Sequence, residues 1–389
     1  MPPPRMLTRA ALPTVCLLGW AAVTNYTNHA ALLPLLMRDL QFGPAQAGLL
    51  SSAFFITLSV VFVPAGILSD RVGAKTVGTV GLAITFVSTV ALGGARGFGD
   101  LVLLKIASGI GCGAAFIAGV RYVTAAFPAA RRHAAQGLYG GFVQLGGGTS
   151  VYLLPWLAHA AGWRAAFALS STLVAATLVV WVVAAPDVRT TSPATVGFAG
   201  AVRSGKAWRL GIAHAGTFGL AVLVGTWVTT FLVHDVNTTL VTAGAAGSVV
   251  LLLGLLARPL GGLVLDRRRL STRAMVMLSF GVGALGLGIL SLPHPSLAAA
   301  TVALAAIGVA ANMPYAAVMN AAAHAAPGSP GASVGLTSAV AILFLALAVP
   351  LVGAVYQATG GFATAFGALA VLSAVAGWSM RAIDDEPAT

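Results

Sequence analysis

Long apolar segments recur along the whole chain and are separated by short polar ones. Each contains about 20 residues or more, enough for a helix to cross the ~30 Å hydrocarbon core of a bilayer. The segments do not alternate in polarity, and backbone groups in lipid must bond within their own segment, so helices are favoured over a barrel. The first is too long for a signal peptide, and others follow it. Twelve membrane spans are predicted, at residues 11–36, 46–68, 76–94, 100–126, 134–158, 164–185, 208–233, 240–265, 273–292, 296–322, 331–355 and 361–381.

The composition and the charge distribution agree with this prediction. The chain is 58% hydrophobic and 8% charged, whereas an average soluble domain is about 25% charged. If the N-terminus is cytoplasmic, fifteen Lys and Arg residues fall in inner loops and three in outer loops. Cytoplasmic loops of membrane proteins carry such an excess. The net charge of +12 therefore indicates topology rather than a nucleic-acid partner. It predicts a multi-pass protein of a bacterial inner (plasma) membrane with both termini cytoplasmic.

A polar stretch rich in proline, serine and charge divides the spans into two sets of six. It covers residues 186–207 and is interpreted as a cytoplasmic linker. The predicted domains are an N-terminal six-helix bundle at 1–185 and a C-terminal six-helix bundle at 208–389. The predicted fold class is an all-α integral membrane protein with twelve transmembrane helices.

The two halves of the chain share sequence features at a constant spacing. GILSDRVGAK after the second span and GGLVLDRRRL after the eighth align Asp70 with Asp266, an offset of 196. AGWRAAF and GGFATAF, before the sixth and twelfth spans, align Gly162 with Gly361, an offset of 199. A repeat of this length predicts two pseudo-symmetric bundles, an arrangement found in many secondary transporters.

The loop after the second span carries a specific motif. Gly66, Asp70, Arg71, Gly73 and Lys75 match G-x-x-x-D-R-x-G-x-K, the signature of the major facilitator superfamily between its second and third spans. The chain resembles this family over essentially its whole length. The resemblance implies a secondary transporter that works by alternating access, in which these loops lock or release the cytoplasmic side. The residues assigned to gating are Gly66, Asp70, Arg71, Gly73, Asp266 and Arg267.

Two further segments resemble family signatures, with departures. KIASGIGCG in the fourth span places Lys105 where the family has arginine. The resemblance implies a coupling role for Lys105, and the alternative is an anchor at the outer interface. FVQLGGG in the fifth span is similar to the glycine-rich signature of the nitrate/nitrite porters, with Gln144 in place of asparagine. The corresponding glycine run in the eleventh span and the antiporter signature of the fifth are absent.

Arg258 lies inside the eighth predicted span. Several glycines share its helix face at ~100° per residue, and such a stripe indicates close packing or a cavity lining rather than a lipid face. A guanidinium in a membrane span is costly, so it usually has a function. Arg258 is predicted to bind substrate, and the alternatives are an arginine that snorkels to the cytoplasmic end and one that pairs with carboxylates at the span ends. Pro259 is predicted to weaken or kink the helix beside it.

Other polar residues within the spans are candidates to line the same path. Arg121 either binds substrate or snorkels to the interface. Lys105 points away from it around the same helix, so the two are not expected to share one site. Each uncharged candidate has the alternative interpretation of an interhelical hydrogen bond. The predicted substrate-binding residues are Arg258, Arg121, Asn25, Asn28, His29, Gln144, His214, Asn312 and Tyr315.

The carboxylates and sequence motifs that the spans lack exclude several classes of function. All nine acids lie in predicted loops or at span ends, so no mid-membrane carboxylate can hold a cationic drug. Walker and zinc-protease motifs are also absent, which argues against an enzyme. No metal or cofactor is expected, since both cysteines lie in apolar spans. The predicted function is transport of a small anion such as nitrate, nitrite or a short carboxylate by a monomer in contact with membrane lipid. The alternatives are efflux of uncharged or hydrophobic drugs, and a transporter-like sensor that moves nothing.

Overall fold

The structure is a computed structural model, and every regular element it describes is helical. The middle of the predicted linker, Arg268, Arg269 and both chain ends lie outside the described residues. The side chain of Asp266 also lies outside what the structure describes. The ranges that the structure describes are 4–188, 198–267, 270–326 and 330–382.

The chain divides into two compact units, Met1–Ala194 and Thr195–Thr389. Long apolar helices make up most of the first unit, because backbone groups without water must bond along the helix. Its helices are α1 (Pro4–Thr27), α2 (Leu33–Leu40), α3 (Pro44–Val72), α4 (Ala74–Leu92), α5 (Phe98–Ala126) and α6 (Ala129–Ala184). The last of these is interrupted at Gly162, where the backbone has φ 78°, a conformation that glycine adopts without strain.

The second unit has shorter helices, because several apolar segments are broken in the middle. The C-terminal end of the predicted linker is helical and leads into the first long segment of this unit. The helices are α7 (Phe198–Arg203), α8 (Gly205–His214), α9 (Leu220–His234), α10 (Leu240–Leu252), α11 (Gly254–Asp266), α12 (Thr272–Leu290), α13 (Leu297–Asn312), α14 (Tyr315–Ala323), α15 (Pro330–Thr359) and α16 (Ala363–Ser379).

Nine helical segments within the described residues are long and apolar enough to cross a membrane. One of them, Ala135–Ala184, is 50 residues long and contains the interruption at Gly162. Many of their outward side chains are large and apolar, such as Leu103, Val183 and Leu285, each more than 65% exposed. In water such surfaces would be unfavourable, and in a bilayer they face lipid.

Four predicted spans are not continuous helices. The first ends at Thr27 and resumes at Leu33, because the Asn28 side chain accepts a hydrogen bond from the His29 backbone N–H and so competes with the helix. The seventh contains a π-helix at Ala215–Gly219 between α8 and α9.

The eighth and tenth spans are also broken. The eighth breaks at Leu253 rather than at Pro259, and α11 continues through the proline. A proline clashes with the carbonyl four residues earlier, so the disturbance lies on its N-terminal side. The tenth span breaks between Asn312 and Tyr315, where Pro314 cannot donate a backbone hydrogen bond.

Each unit has one turn that is closed in a similar way. Asp39 accepts a hydrogen bond from the Trp163 indole at 2.9 Å, one residue after Gly162. Asp235 accepts one from the Phe362 backbone N–H at 2.8 Å. In the second turn the glycine with positive φ is Gly360, with φ 76°, one position earlier than the sequence alignment placed it.

The electrostatic environments of these two acids differ. The hydrogen bond from Arg38 holds the pKa of Asp39 below its usual value. Burial raises the pKa of Asp235, since a desolvated carboxylate is less stable than a solvated one. The same turn is therefore fixed by an ion-paired acid in the first unit and by a half-buried acid in the second.

Glycines set the closest helix contacts of the first unit. A Cβ added to Gly146 would lie 2.2 Å from the Trp20 carbonyl oxygen on α1. Thr27 also donates a hydrogen bond to the Gly147 carbonyl at 2.8 Å. The glycine-rich run that resembles the nitrate signature thus brings α6 against α1, which is a packing role of small residues in membrane helices.

Candidate functional site

In the second unit Arg258 lies among the polar residues predicted from the seventh and tenth spans. Its side chain is buried, and Nε donates a hydrogen bond to Asn312 Oδ1 at 3.1 Å. The guanidinium lies over the Tyr315 ring, with Cζ 4.1 Å from the ring centroid, a distance at which a cation is attracted to the ring face. Asn312 in turn donates to the Gly308 carbonyl at 2.8 Å. These contacts hold the guanidinium inside the unit.

His214 lies near the aromatic rings of Phe218 and Tyr315. Its imidazole stacks on Phe218 with centroids 5.0 Å apart and planes at 11°, and it is 6.0 Å from the Tyr315 ring. The Arg258 guanidinium is 5.7 Å from the Phe218 centroid. The structure thus brings together four predicted residues, and Phe218, which was not predicted, joins them. Its position four residues after His214 placed it on the same helix face.

Three of the four broken spans contribute to this cluster. His214 is the last residue of α8 before the π-helix, Arg258 lies one turn into α11, and Asn312 and Tyr315 flank the break between α13 and α14. π-Helical turns occur often at functional sites. Non-helical backbone at membrane depth is tolerated where protein buries it or where it lines a polar cavity. We call these residues the Arg258 cluster: His214, Phe218, Arg258, Asn312 and Tyr315.

In the first unit the predicted polar residues converge on Lys105. The lysine is fully buried, and Nζ donates to the Asn25 backbone oxygen at 2.6 Å and to Asn28 Oδ1 at 3.1 Å. It also lies 4.2 Å from the centroid of the Phe54 ring. The groups that it contacts are thus uncharged. The interpretation of Lys105 as an interfacial anchor is wrong, because an anchor would extend its ammonium to water.

Hydroxyl groups that were not predicted complete this first cluster. Ser108 and Thr89 donate to Asn25 Oδ1 at 2.8 and 3.0 Å. His29 Nε2 is 2.7 Å from Ser51 Oγ. Two buried polar atoms, Asn25 Nδ2 and His29 Nδ1, have no hydrogen-bond partner. We call these residues the Lys105 cluster: Asn25, Asn28, His29, Ser51, Phe54, Thr89, Lys105 and Ser108.

Two predicted substrate-binding residues lie elsewhere. Gln144 is buried in α6 at 2% exposure, next to the glycines that pack on α1. Arg121 forms an ion pair with Asp70 through Nη2 and Oδ2. Arg121 and Lys105 have different partners in the structure, in agreement with the helical spacing, which predicted that they do not share one site. Arg121 is thus paired with a carboxylate near the end of α3.

The other residues predicted to take part in gating lie in the C-terminal parts of α3 and α11 or just after them. Gly73 follows α3 with φ 93°, a left-handed conformation that favours glycine. Gly66 faces Ile117 on α5, and a Cβ there would still be 3.8 Å from that side chain. Arg71 and Arg267 are exposed. Lys75 of the same motif donates to the Ala185 backbone oxygen at 2.6 Å, which ties the loop to the end of α6.

Comparison with known proteins gives the family. The family model described as Major Facilitator Superfamily matches residues 15–341. The chain belongs to the major facilitator superfamily. Proteins of this family are membrane transporters rather than enzymes, and they carry small-molecule substrates. The family covers the Lys105 cluster, the motif at 66–75 and the Arg258 cluster.

Two curated bacterial relatives carry names of anion transporters. A protein named "probable sulfoacetate transporter", from Cupriavidus necator, is 34% identical over 156 residues, which are 40% of this chain and 36% of the relative. A protein named "probable nitrate transporter", from Staphylococcus epidermidis, is 29% identical over 238 residues, 61% of each chain. The chain thus spans less than two thirds of the length of these relatives.

A solved structure shows the same fold over nearly the whole chain. It is a bacterial homologue of the human lysosomal transporter Spinster in an inward-facing, occupied conformation. The TM-score is 0.75 at 16% identity, and the match covers 97% of this chain and 98% of that one. At this identity the similarity concerns the fold alone.

Proposed function

We propose that this superfamily member is a secondary transporter that moves a small anion across the bacterial inner membrane by alternating access. The observation that carries the proposal is the Arg258 cluster. It holds a guanidinium inside the second unit by a neighbouring amide and an aromatic face, in a span whose sequence has no acid before Asp266. A planar guanidinium suits carboxylate, nitrate and sulfonate oxygens, which it can bind through two parallel hydrogen bonds.

The Lys105 cluster supports the same substrate class from the first unit. A buried ammonium whose contacts are a backbone carbonyl, a side-chain amide and an aromatic ring is costly, and an anion would stabilise it. We assign Lys105 to coupling, with Asn25, Asn28 and His29 as neighbouring substrate contacts. The names of the two relatives, one for sulfoacetate and one for nitrate, agree with an anionic substrate.

The test of this function is a ligand screen followed by transport. Purified protein is heated in detergent with nitrate, nitrite, acetate or sulfoacetate, and with uncharged hydrophobic drugs as the comparison. A ligand present at about 100 times its Kd stabilises the fold by about 2.7 kcal/mol. Stabilisation by an anion, and uptake of the same anion into liposomes, is the expected result. Stabilisation by the drugs alone would favour efflux, and binding without uptake would favour a sensor.

We also propose twelve spans in two pseudo-symmetric bundles. The long segment Ala135–Ala184 supplies two helices that meet at Gly162. The 24-residue α1 and the 17-residue α16 add two more to the nine apolar segments. The proposed bundles are 1–185 and 208–389, joined by a cytoplasmic linker at 186–207. The outer turns closed by Asp39 and Asp235 support the pseudo-symmetry.

Cysteine labelling in whole cells tests the topology. Both native cysteines, Cys16 and Cys112, are buried, so a single introduced cysteine reports its own position. A cysteine at the exposed Arg203 is expected to react only with a permeant reagent, because the linker is placed in the cytoplasm. A cysteine at the exposed Arg96 should react with an impermeant one. The reverse pattern would overturn the proposed orientation.

The ion pair of Asp70 with Arg121 is proposed as part of the cytoplasmic gate. Both side chains are mostly buried, at 19% and 27% exposure, so the pair is stronger than one in open solvent. Asp70→Asn should slow transport severalfold and leave anion affinity within a few-fold, because the pair lies outside both clusters. The double variant Asp70→Arg with Arg121→Asp should recover part of the rate. Loss of anion binding in folded Asp70→Asn protein would contradict the gating assignment.

A further inference from the structure

Three features of His214 distinguish it from an ordinary packed histidine. It is 4% exposed, yet its Nδ1 atom is buried without a hydrogen-bond partner. An imidazole nitrogen left unsatisfied in a protein interior is unfavourable. It also ends α8 at the start of the π-helix Ala215–Gly219, so the backbone beside it is irregular.

The surroundings of His214 contain one cation and no acid among the contacts that the structure describes. Arg258 on α11 and Tyr315 on α14 are the charged and titratable groups that face it. Asn312 comes from α13. The other helices packed against this segment contribute apolar side chains near its glycines: Phe280 of α12, and Val340 and Phe344 of α15.

This arrangement links the charge of His214 to the binding of an anion at the Arg258 cluster. A proton on a buried imidazole next to a guanidinium is unfavourable, because two like charges share a space from which water is excluded. An anion bound by both groups would favour the protonated imidazole, since the anion compensates both positive charges and accepts a hydrogen bond from Nδ1–H. Anion and proton would then favour each other's binding by the same factor.

We propose that His214 is the second anion-binding group of the Arg258 cluster and takes up one proton when the anion binds. The inference rests on the proposed function, and it deepens it: the substrate enters the second unit together with a proton. It also answers how a transporter without a mid-membrane carboxylate can couple to protons. Histidine is suited to this because its charge changes near neutral pH.

The experiment measures the affinity of the purified full chain for nitrate and for sulfoacetate between about pH 6 and about pH 8.5, a range that spans histidine titration. Neither anion changes its charge over this range. The wild-type affinity is expected to fall by up to about tenfold per pH unit, the limit for one linked proton. His214→Gln keeps a hydrogen-bonding amide but cannot be protonated, so its affinity should be weaker at low pH and nearly constant. His324→Gln, at an exposed histidine, is the control for loss of an imidazole and should keep the wild-type slope.

Each other outcome has a defined meaning. A wild-type slope of zero, or a full slope in His214→Gln protein, overturns the inference. A slope lost only in Lys105→Met protein would place the proton in the first unit instead. If nitrate, nitrite, acetate and sulfoacetate all fail to bind wild-type protein at any pH, the proposed function fails rather than this role of His214. If His214→Gln does not fold, His214→Asn takes its place, and calorimetry of the wild type in two buffers of different ionisation enthalpy counts the protons. If no proton is taken up when the anion binds, the inference is overturned.

Discussion

Replacement of Arg258 by alanine is expected to abolish the stabilisation of the purified protein by anions. The guanidinium is the cation of the second cluster, and alanine leaves Asn312 and Tyr315 without it. At an anion concentration of about 100 Kd for the wild type, the variant should lack about 2.7 kcal/mol of ligand-dependent stability. The measurement is the apparent melting temperature with and without anion, in detergent, together with uptake into liposomes.

Arg258→Lys separates a structural from a functional arginine. Lysine keeps the charge, but it cannot lie flat on the Tyr315 ring, bond to Asn312 and present two parallel donors at once. The expected result is an anion affinity lowered by at least tenfold and transport close to background. The matched control is Arg164→Lys, because Arg164 also lies 4.0 Å from an aromatic centroid, that of Trp163, but is exposed beside the interruption at Gly162. That variant should respond to anions as the wild type does.

Full activity of Arg258→Lys would contradict the proposed anion site. A lysine can snorkel as well as an arginine, so such a result would assign Arg258 to membrane anchoring. Efflux of uncharged compounds would be the leading function if Arg258→Lys were fully active. The burial of Arg258, at 4% exposure, argues against that result.

Much of the fold follows from the sequence, because lengths of apolar segments and loop charges are local properties. The cluster members Arg258, His214, Asn312 and Tyr315 were each identifiable as polar residues in apolar segments. Helical spacing also separated Lys105 from Arg121. What spacing within one helix cannot give is the partner on another helix.

The residues that were missed show the same limit. Ser51 and Thr89 are short hydroxyls that can bond their own helix backbone, so nothing in their spans marked them as neighbours of His29 and Asn25. Arg121 has the same sequence features as the other candidates, and only its ion pair with Asp70 distinguishes it from them. The glycines of the fifth span resembled a signature, whereas the structure shows that Gly146 has no room for a side chain against Trp20.

The breaks in the helices were the least predictable feature. Pro259 suggested a kink beside Arg258, but α11 runs through it and the break lies at Leu253. A proline leaves the carbonyl one turn before it without a hydrogen-bond donor. Packing then decides where the helix bends. Pro314 marked its break more directly, since α13 ends two residues before it. The π-helix after His214 had no sequence signal that we can identify.

The contact between α11 and the break between α13 and α14 is expected to be intolerant of a single methyl group. A Cβ added to Gly261 would lie 1.9 Å from the Met313 carbonyl oxygen, between the last residue of α13 and the first of α14. A backbone oxygen cannot rotate away, so α11 must move. Arg258 is one turn earlier on the same helix, and its partners Asn312 and Tyr315 flank the carbonyl that is displaced.

Gly261→Ala should therefore damage both stability and the Arg258 cluster. Overpacking of this kind costs typically about 1–3 kcal/mol, and we expect the upper end together with loss of anion-dependent stabilisation. Gly262→Ala is the matched control, because its Cβ would meet only the Ala316 Cβ at 3.9 Å. Alanine is the better helix former by about 1 kcal/mol, so that variant should be as stable as the wild type or more so. The two proteins are compared by apparent melting temperature and by nitrate and sulfoacetate titration. Wild-type stability and affinity in Gly261→Ala protein would show that α11 and the turn at Met313 are not packed together, and the Arg258 cluster would lose its structural basis.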